Sequence, residues 1–171
     1  MIEVVIDSIR ISLVSQHRIV LLKEIDSDRQ LPIWIGPCEA DAITIELQDV
    51  KVARPLTADL VNLVAKELGG EISHVLIREL TEQVFHASLF IEVGEETREI
   101  DCRPSDAIAL AVRAKVPILV NEAVIEEAGV QPEPDLMSEA ELGETEEDVG
   151  NLDAFSDFLD TLDFEDFEGD S

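Results

Sequence analysis

Charge is partitioned along this chain in a way that decides where it can fold. From Gln131 to Ser171 there are 16 Asp and Glu and no Lys or Arg, which leaves 23 acids against 12 bases in residues 1–130. Like charges at the density of the C-terminal stretch repel one another and favour an extended chain. Folding is therefore expected in residues 1–130, and 131–171 is expected to be an acidic, disordered tail. A domain of about 130 residues is long enough to bury a core. Only 4% of the chain is aromatic, so that core must be aliphatic. The runs Ile2 to Ile6, Ile19 to Leu22, Leu31 to Ile35 and Ile108 to Val112 supply it.

The order of these runs points to an α+β domain with a mixed, largely antiparallel sheet and three to four helices. Ile2 to Leu13 and His17 to Ile25 read as sequential strands broken at Ser15-Gln16, and Leu31 to Ile35 as a short buried strand that includes Trp34. A first helix is expected from Pro37, because the N–H that proline lacks would be unpaired at that position anyway. Ala40, Ile43 and Leu47 form its apolar stripe, and Glu39 and Asp41 lie near its positive end. Thr57 is expected to cap a second helix with the stripe Leu60, Val64 and Leu68, stopped by Gly69-Gly70. Three strands follow at Ile72 to Leu80, Val84 to Val93 and Thr97 to Cys102, the last two joined by a Gly94-Glu95-Glu96 turn that suits antiparallel pairing. Ala107 to Ala114 is apolar nearly all round and so predicts a helix buried on most sides. Pro117 to Val120 is a last strand, and Asn121 can cap a closing helix that stops before Gly129. The segments Gly36-Pro37-Cys38-Glu39-Ala40-Asp41-Ala42-Ile43 and Arg103-Pro104-Ser105-Asp106-Ala107-Ile108 are alike; internal duplication or shared helix-start rules would both explain it.

Cys38 and Cys102 are the two cysteines, too few for a disulfide framework, which suggests a reducing compartment. The N-terminus lacks the basic region and long apolar run of a signal peptide, and no apolar stretch approaches the ~18 residues of a membrane span. A cytoplasmic location without membrane association is the expectation. The acidity argues against non-specific nucleic-acid binding, which rests on Lys and Arg neutralising phosphates. It does not forbid an enzyme that bridges a phosphate substrate through metal ions.

Three segments together resemble the bifunctional nuclease family. They are Leu31-Pro32-Ile33-Trp34-Ile35-Gly36 with Glu39-Ala40 and Ala42-Ile43, then Arg54-Pro55-Leu56-Thr57-Ala58-Asp59-Leu60, then Asp101-Cys102-Arg103-Pro104-Ser105-Asp106-Ala107-Ile108-Ala109-Leu110-Ala111 with Val116-Pro117-Ile118. The third is the most specific, and the match runs through nearly all of residues 1–130. The resemblance implies an α+β homodimer and, for some members, degradation of RNA and DNA. The chain departs from the family pattern at Ala58, where histidine is usual, and at His86, where tyrosine is usual. Chemistry that needs an imidazole at position 58 would be missing here.

Phosphodiester cleavage near neutral pH needs an activated water and charge neutralisation at phosphorus, which carboxylates holding divalent cations can supply. Oxygen ligands suit magnesium or manganese. Glu39, Asp59, Asp101 and Asp106 are the candidate metal ligands. Asp106, Arg103 and Asp59 are the candidate catalytic residues, and Arg54 and Arg103 the candidate phosphate clamps, aided by helix N-termini. The competing explanation is that an acid in a first helical turn is favoured by the dipole, by roughly 0.3–1 kcal/mol, with a nearby arginine simply pairing with it. His17, His74 and His86 show no metal-ligand spacing; Cys38 and Cys102 sit near helix starts that would stabilise a thiolate, although a buried, inert cysteine is the commoner outcome. In the tail, Leu152, Phe155, Phe158, Leu159 and Leu162 would form one face of a short amphipathic helix at 152–163. Such a segment suits docking on a protein partner. Two functions follow: a metal-dependent nuclease, or a non-catalytic dimeric binding module with an acidic docking arm.

Overall fold

The computed structural model describes residues 1–11 and 17–132. The elements run β1 (Ile2–Ile11), β2 (Arg18–Glu24), β3 (Gln30–Ile35), α1 (Pro37–Leu47), α2 (Thr57–Glu67), β4 (Gly70–Thr81), β5 (Val84–Val93), β6 (Glu96–Cys102), α3 (Pro104–Ala114), β7 (Ile118–Val120) and α4 (Glu122–Ala128). The Ser15-Gln16 break and the amphipathic helix expected at 152–163 lie outside the described residues. The α+β class holds: seven strands form one mixed sheet in the order β3-β2-β1-β7-β4-β5-β6. Only the β4–β7 pair is parallel; the other pairs are antiparallel. No helix among the described residues is long and apolar enough to cross a membrane.

Local chemistry sets most boundaries. Pro37 and Pro104 start their helices as expected, and Asn121 Oδ1 accepts the Ala123 N–H at the head of α4. Gly69 takes φ +79° after α2, a left-handed turn that suits glycine, and a Cβ at Gly70 would meet Ile91 Cγ2 at 2.8 Å. The chain therefore leaves α2 and enters β4 within two residues, pressed against β5.

The aliphatic core joins the inner faces of the strands to α3, which buries Pro104, Ser105, Ala107, Ile108, Ala109, Leu110 and Ala111 as its all-round apolar sequence demanded. The sheet curls around this core. In a flat sheet β3 and β5 would be five strand spacings apart, roughly 24 Å, yet Trp34 on β3 and Phe85 on β5 line one small hollow.

Three expectations are corrected. Thr57 does not cap α2: Leu56 occupies the cap position, and its N–H is accepted by Asp59 Oδ2 at 2.7 Å. Leu60, Val64 and Leu68 do not face the core. They are exposed together with Val61 and Leu63, while α2 turns Ala58, Asn62 and Ala65 inward. Spacing identifies residues that share a face, but not which face is covered. On α1, Leu47 is likewise exposed. Trp34 is not core. Leu31, Ile33 and Ile35 point inward, so the two-residue strand repeat turns Trp34 out, where it is 59% exposed.

Candidate functional site

Two helix starts meet at Arg103. This residue caps α3, and Pro104 and Ser105 open the helix, so Asp106 falls at the third helical position. On α1 the cap is Gly36, and Glu39 takes the equivalent place. The Arg103 guanidinium donates from Nε and Nη2 to the two carboxylate oxygens of Asp106 at 2.8 and 3.0 Å. Its Nη1 donates to Glu39 Oε1 at 3.0 Å. These partners, Asp106 before Glu39, raise the Arg103 pKa further above its ordinary value, so the group is a permanent cation. The guanidinium is fixed by three bonds yet 64% exposed, which leaves it open to a ligand. A Cβ at Gly36 would collide with the Glu39 carboxylate, so the glycine leaves that side chain room to reach Arg103.

A hollow opens on each side of the Arg103–Glu39 pair. One, of about 300 Å³, is walled by Trp34, Gly36, Phe85, Gln83, Pro104 and Ser105. The other, of about 480 Å³, is walled by Cys38, Thr57, Ala58, Val61, Asp106 and Leu110. Glu39, Arg103 and Ser105 line both. The N-termini of α1 and α3 both open into this region, where their unpaired N–H groups favour an anion. The site thus combines a fixed, accessible guanidinium, two carboxylates, a hydroxyl and apolar walls.

The sequence candidates fall into two sets. Glu39, Arg103 and Asp106 are brought together. Asp59 and Asp101 are drawn elsewhere. Asp59 Oδ1 accepts from Arg113 Nε at 2.7 Å, and that guanidinium, 3% exposed, also donates to the carbonyls of Ala109 and Ala42. The cluster ties α1, α2 and α3 together, so the position of Asp59 is accounted for by architecture. Asp101 accepts from Arg78 Nη2 at 2.7 Å, in a network where Arg78 and Glu99 also meet Ser88. Arg54 is exposed ahead of α2 and lines neither hollow. Sequence reasoning overlooked Ser105, Gln83 and Phe85, and misplaced Trp34 in the core. The alternation Leu31, Ile33, Ile35 is the signal that would have turned Trp34 outward.

Among the described residues no three His, Cys, Asp or Glu side chains converge to hold a metal ion. Of the four candidate acids, Glu39 and Asp106 converge, and the Arg103 guanidinium already bridges them. The four acids expected as a magnesium or manganese set do not fit a cage built by these residues. Cys102 is not prepared as a nucleophile by this geometry. Cys38 is exposed, and burial, then the charges of Asp106 and Asp101, push the Cys102 thiol up to about 11. The expected thiolate stabilisation at the α3 start is outweighed. His86 is half-buried on β5 and lines neither hollow. Position 58, where Ala58 stands, faces the second hollow beside Arg103.

The bifunctional nuclease domain matches residues 20–133. An uncharacterized protein of Mycobacterium tuberculosis (strain H37Rv) is 38% identical over 166 residues, covering 97% of this chain and 98% of its own. Bifunctional nuclease 1 of Oryza sativa subsp. japonica is 34% identical over 124 residues, covering 69% of this chain and 38% of its own length. Bifunctional nuclease 1 of Arabidopsis thaliana is 34% identical over 107 residues, covering 61% and 33%. The chain therefore spans only about a third of the plant proteins that it matches.

Proposed function

We propose that this chain, which belongs to the bifunctional nuclease domain family, cleaves nucleic-acid phosphodiester bonds in the paired hollows around Arg103. The observation that carries the reading is the Arg103 guanidinium, immobilised by Asp106 and Glu39 and still open to solvent where two helix N-termini meet. Arg103 binds the phosphate and offsets the charge that builds up at phosphorus. Asp106 holds the guanidinium in register through its bidentate pair. Glu39, which lines both hollows, takes the proton of an attacking water and returns it to the leaving oxygen as the P–O bond breaks.

The test uses the full chain with single-stranded RNA and DNA, in magnesium, in manganese and in chelator, beside Arg103→Ala and Asp106→Ala. An exposed ion pair contributes little to stability, so both variants should fold. Wild type should cleave in at least one condition, and Arg103→Ala should lose roughly 100-fold or more. Cleavage no greater than that of Arg103→Ala in every condition would overturn the proposal. The chelator arm separates reaction by the chain's own groups from reaction that needs a cation shared with the substrate.

One observation favours a second, compatible role as a dimeric module. The solvent face of α2 carries Leu60, Leu63, Val64 and Leu68, uncovered in a strongly acidic chain. A second copy is the occupant that suits it: a mainly aliphatic stripe, on which Glu67 is the one acid, is covered when two copies meet, and a two-fold pairing uses the same face twice. Light scattering would show a dimer for wild type and a monomer for Leu60→Glu/Val64→Glu. An unchanged mass would remove α2 from the interface.

A further inference from the structure

We propose that Trp34 is a base-stacking platform, so that the first hollow takes an unpaired nucleotide with its base on the indole and its phosphate at Arg103. The inference deepens the nuclease reading and rests on it. Its grounds are the placement of this side chain. Trp34 is the single tryptophan of a chain that has no tyrosine, and it is 59% exposed on β3, at the edge of the sheet. It is nevertheless held in place: its backbone sits opposite Ile19 of β2, and the His17 ring meets it edge-to-face, centroids 5.9 Å apart at 83°. A T-shaped contact engages at most one face of the indole, leaving the other for a second ring.

What surrounds Trp34 defines the ligand. Phe85 and Arg103 line the same hollow. Its volume, about 300 Å³, is at the lower end of the small-ligand range of ~300–1,000 Å³. Charge decides which part of a nucleic acid holds it there. The chain carries a net −27, and among the described residues the ionised groups lining this hollow are Arg103 and Glu39. Phosphate contacts alone are therefore a poor source of affinity, whereas a stacked base is indifferent to the protein's charge. Stacking requires an exposed base face, which duplexes withhold and single strands offer. Binding should accordingly be selective for single strands, and shallow in salt, with a slope near the ~−0.7 of a single neutralised phosphate.

Trp34 is the only source of tryptophan emission, so the full chain reports on its own site. Emission would be followed during titration with a short single-stranded oligonucleotide, the same sequence as a blunt duplex, and ribose 5-phosphate. Saturable quenching by the single strand and little by the duplex or the sugar phosphate is expected. With a fluorescently labelled oligonucleotide, Trp34→Ala should weaken binding by roughly 10–100-fold and Trp34→Phe much less. The Trp34→Ala loss of cleavage should appear in KM more than in kcat. Trp34 is exposed, and Trp34→Phe keeps an aromatic ring if alanine disturbs the strand. If wild type cleaves while Trp34→Ala and Trp34→Phe keep wild-type affinity and KM, the platform falls and the nuclease reading stands. Quenching without cleavage keeps the platform and removes the nuclease. Emission that shifts with protein concentration alone, and is then insensitive to oligonucleotide, would mean that a second copy covers Trp34, and would overturn the inference.

Discussion

Asp59→Ala separates a catalytic from an architectural aspartate. The carboxylate accepts the Leu56 N–H at the head of α2 and the Arg113 Nε. Removing it deletes a helix cap, worth about 1 kcal/mol. It also strands the Arg113 guanidinium, which is 3% exposed and keeps only two carbonyl partners. Breaking a buried pair on one side costs about 3–5 kcal/mol. Asp59 is itself 28% exposed, so water can reach its side of the pair and the lower figure applies. A loss of about 4 kcal/mol is expected, a large part of the ~5–15 kcal/mol of a typical domain. In a domain of this size it lowers Tm by roughly 10–20 °C. Urea denaturation followed by circular dichroism measures it. Asp59→Ala/Arg113→Met should regain part of the loss, because no buried charge is left unpaired. Near-wild-type stability with abolished cleavage would refute the reasoning and restore Asp59 to the chemistry.

Three further outcomes follow from the same geometry. Gly36→Ala should push the Glu39 carboxylate off Arg103 and reduce cleavage about tenfold or more with little change in fold; an unaltered rate would show that the Glu39–Arg103 bond is dispensable. Ala58→His would place an imidazole in the second hollow beside Arg103, and a cleavage rate raised up to about 100-fold with a new pH dependence is expected; a flat profile would show that position 58 is remote from the reacting atoms. Burial first, then Asp106 and Asp101, push the Cys102 thiol up to about 11, above the unfolded value near ~8.5. The folded chain thus holds a proton that the unfolded chain has lost, and this contribution to stability fades as pH rises through that window. Iodoacetamide at pH ~8, where an ordinary thiol is partly ionised, should label exposed Cys38 well before Cys102; equal rates would contradict the burial.

Local signals along the chain decided most of the element types. Pro37 and Pro104 marked helix starts, Gly69-Gly70 a stop and Gly94 a turn, because these residues act on their own backbone. The same rules place an acid at the third position of α1, α2 and α3, namely Glu39, Asp59 and Asp106. Sequence alone therefore offered these three, beside Asp101, as candidates. Folding distinguished them: the curl of the sheet and the packing of α1 on α3 set Glu39 and Asp106 around Arg103, while Asp59 was claimed by Arg113.

Periodicity had a similar limit. It grouped Leu60, Val64 and Leu68 on one face, and it could have grouped Leu31, Ile33 and Ile35 against Trp34. Which face meets the core depends on what packs there. The small Ala58 and Ala65 let α2 lie close to its neighbours and left its larger side chains outside. What the sequence determined by itself was the family and the alternation of strands and helices. What only the tertiary structure decided was which charges meet and which apolar faces stay open, because ion pairing and burial depend on distances between segments far apart in the chain.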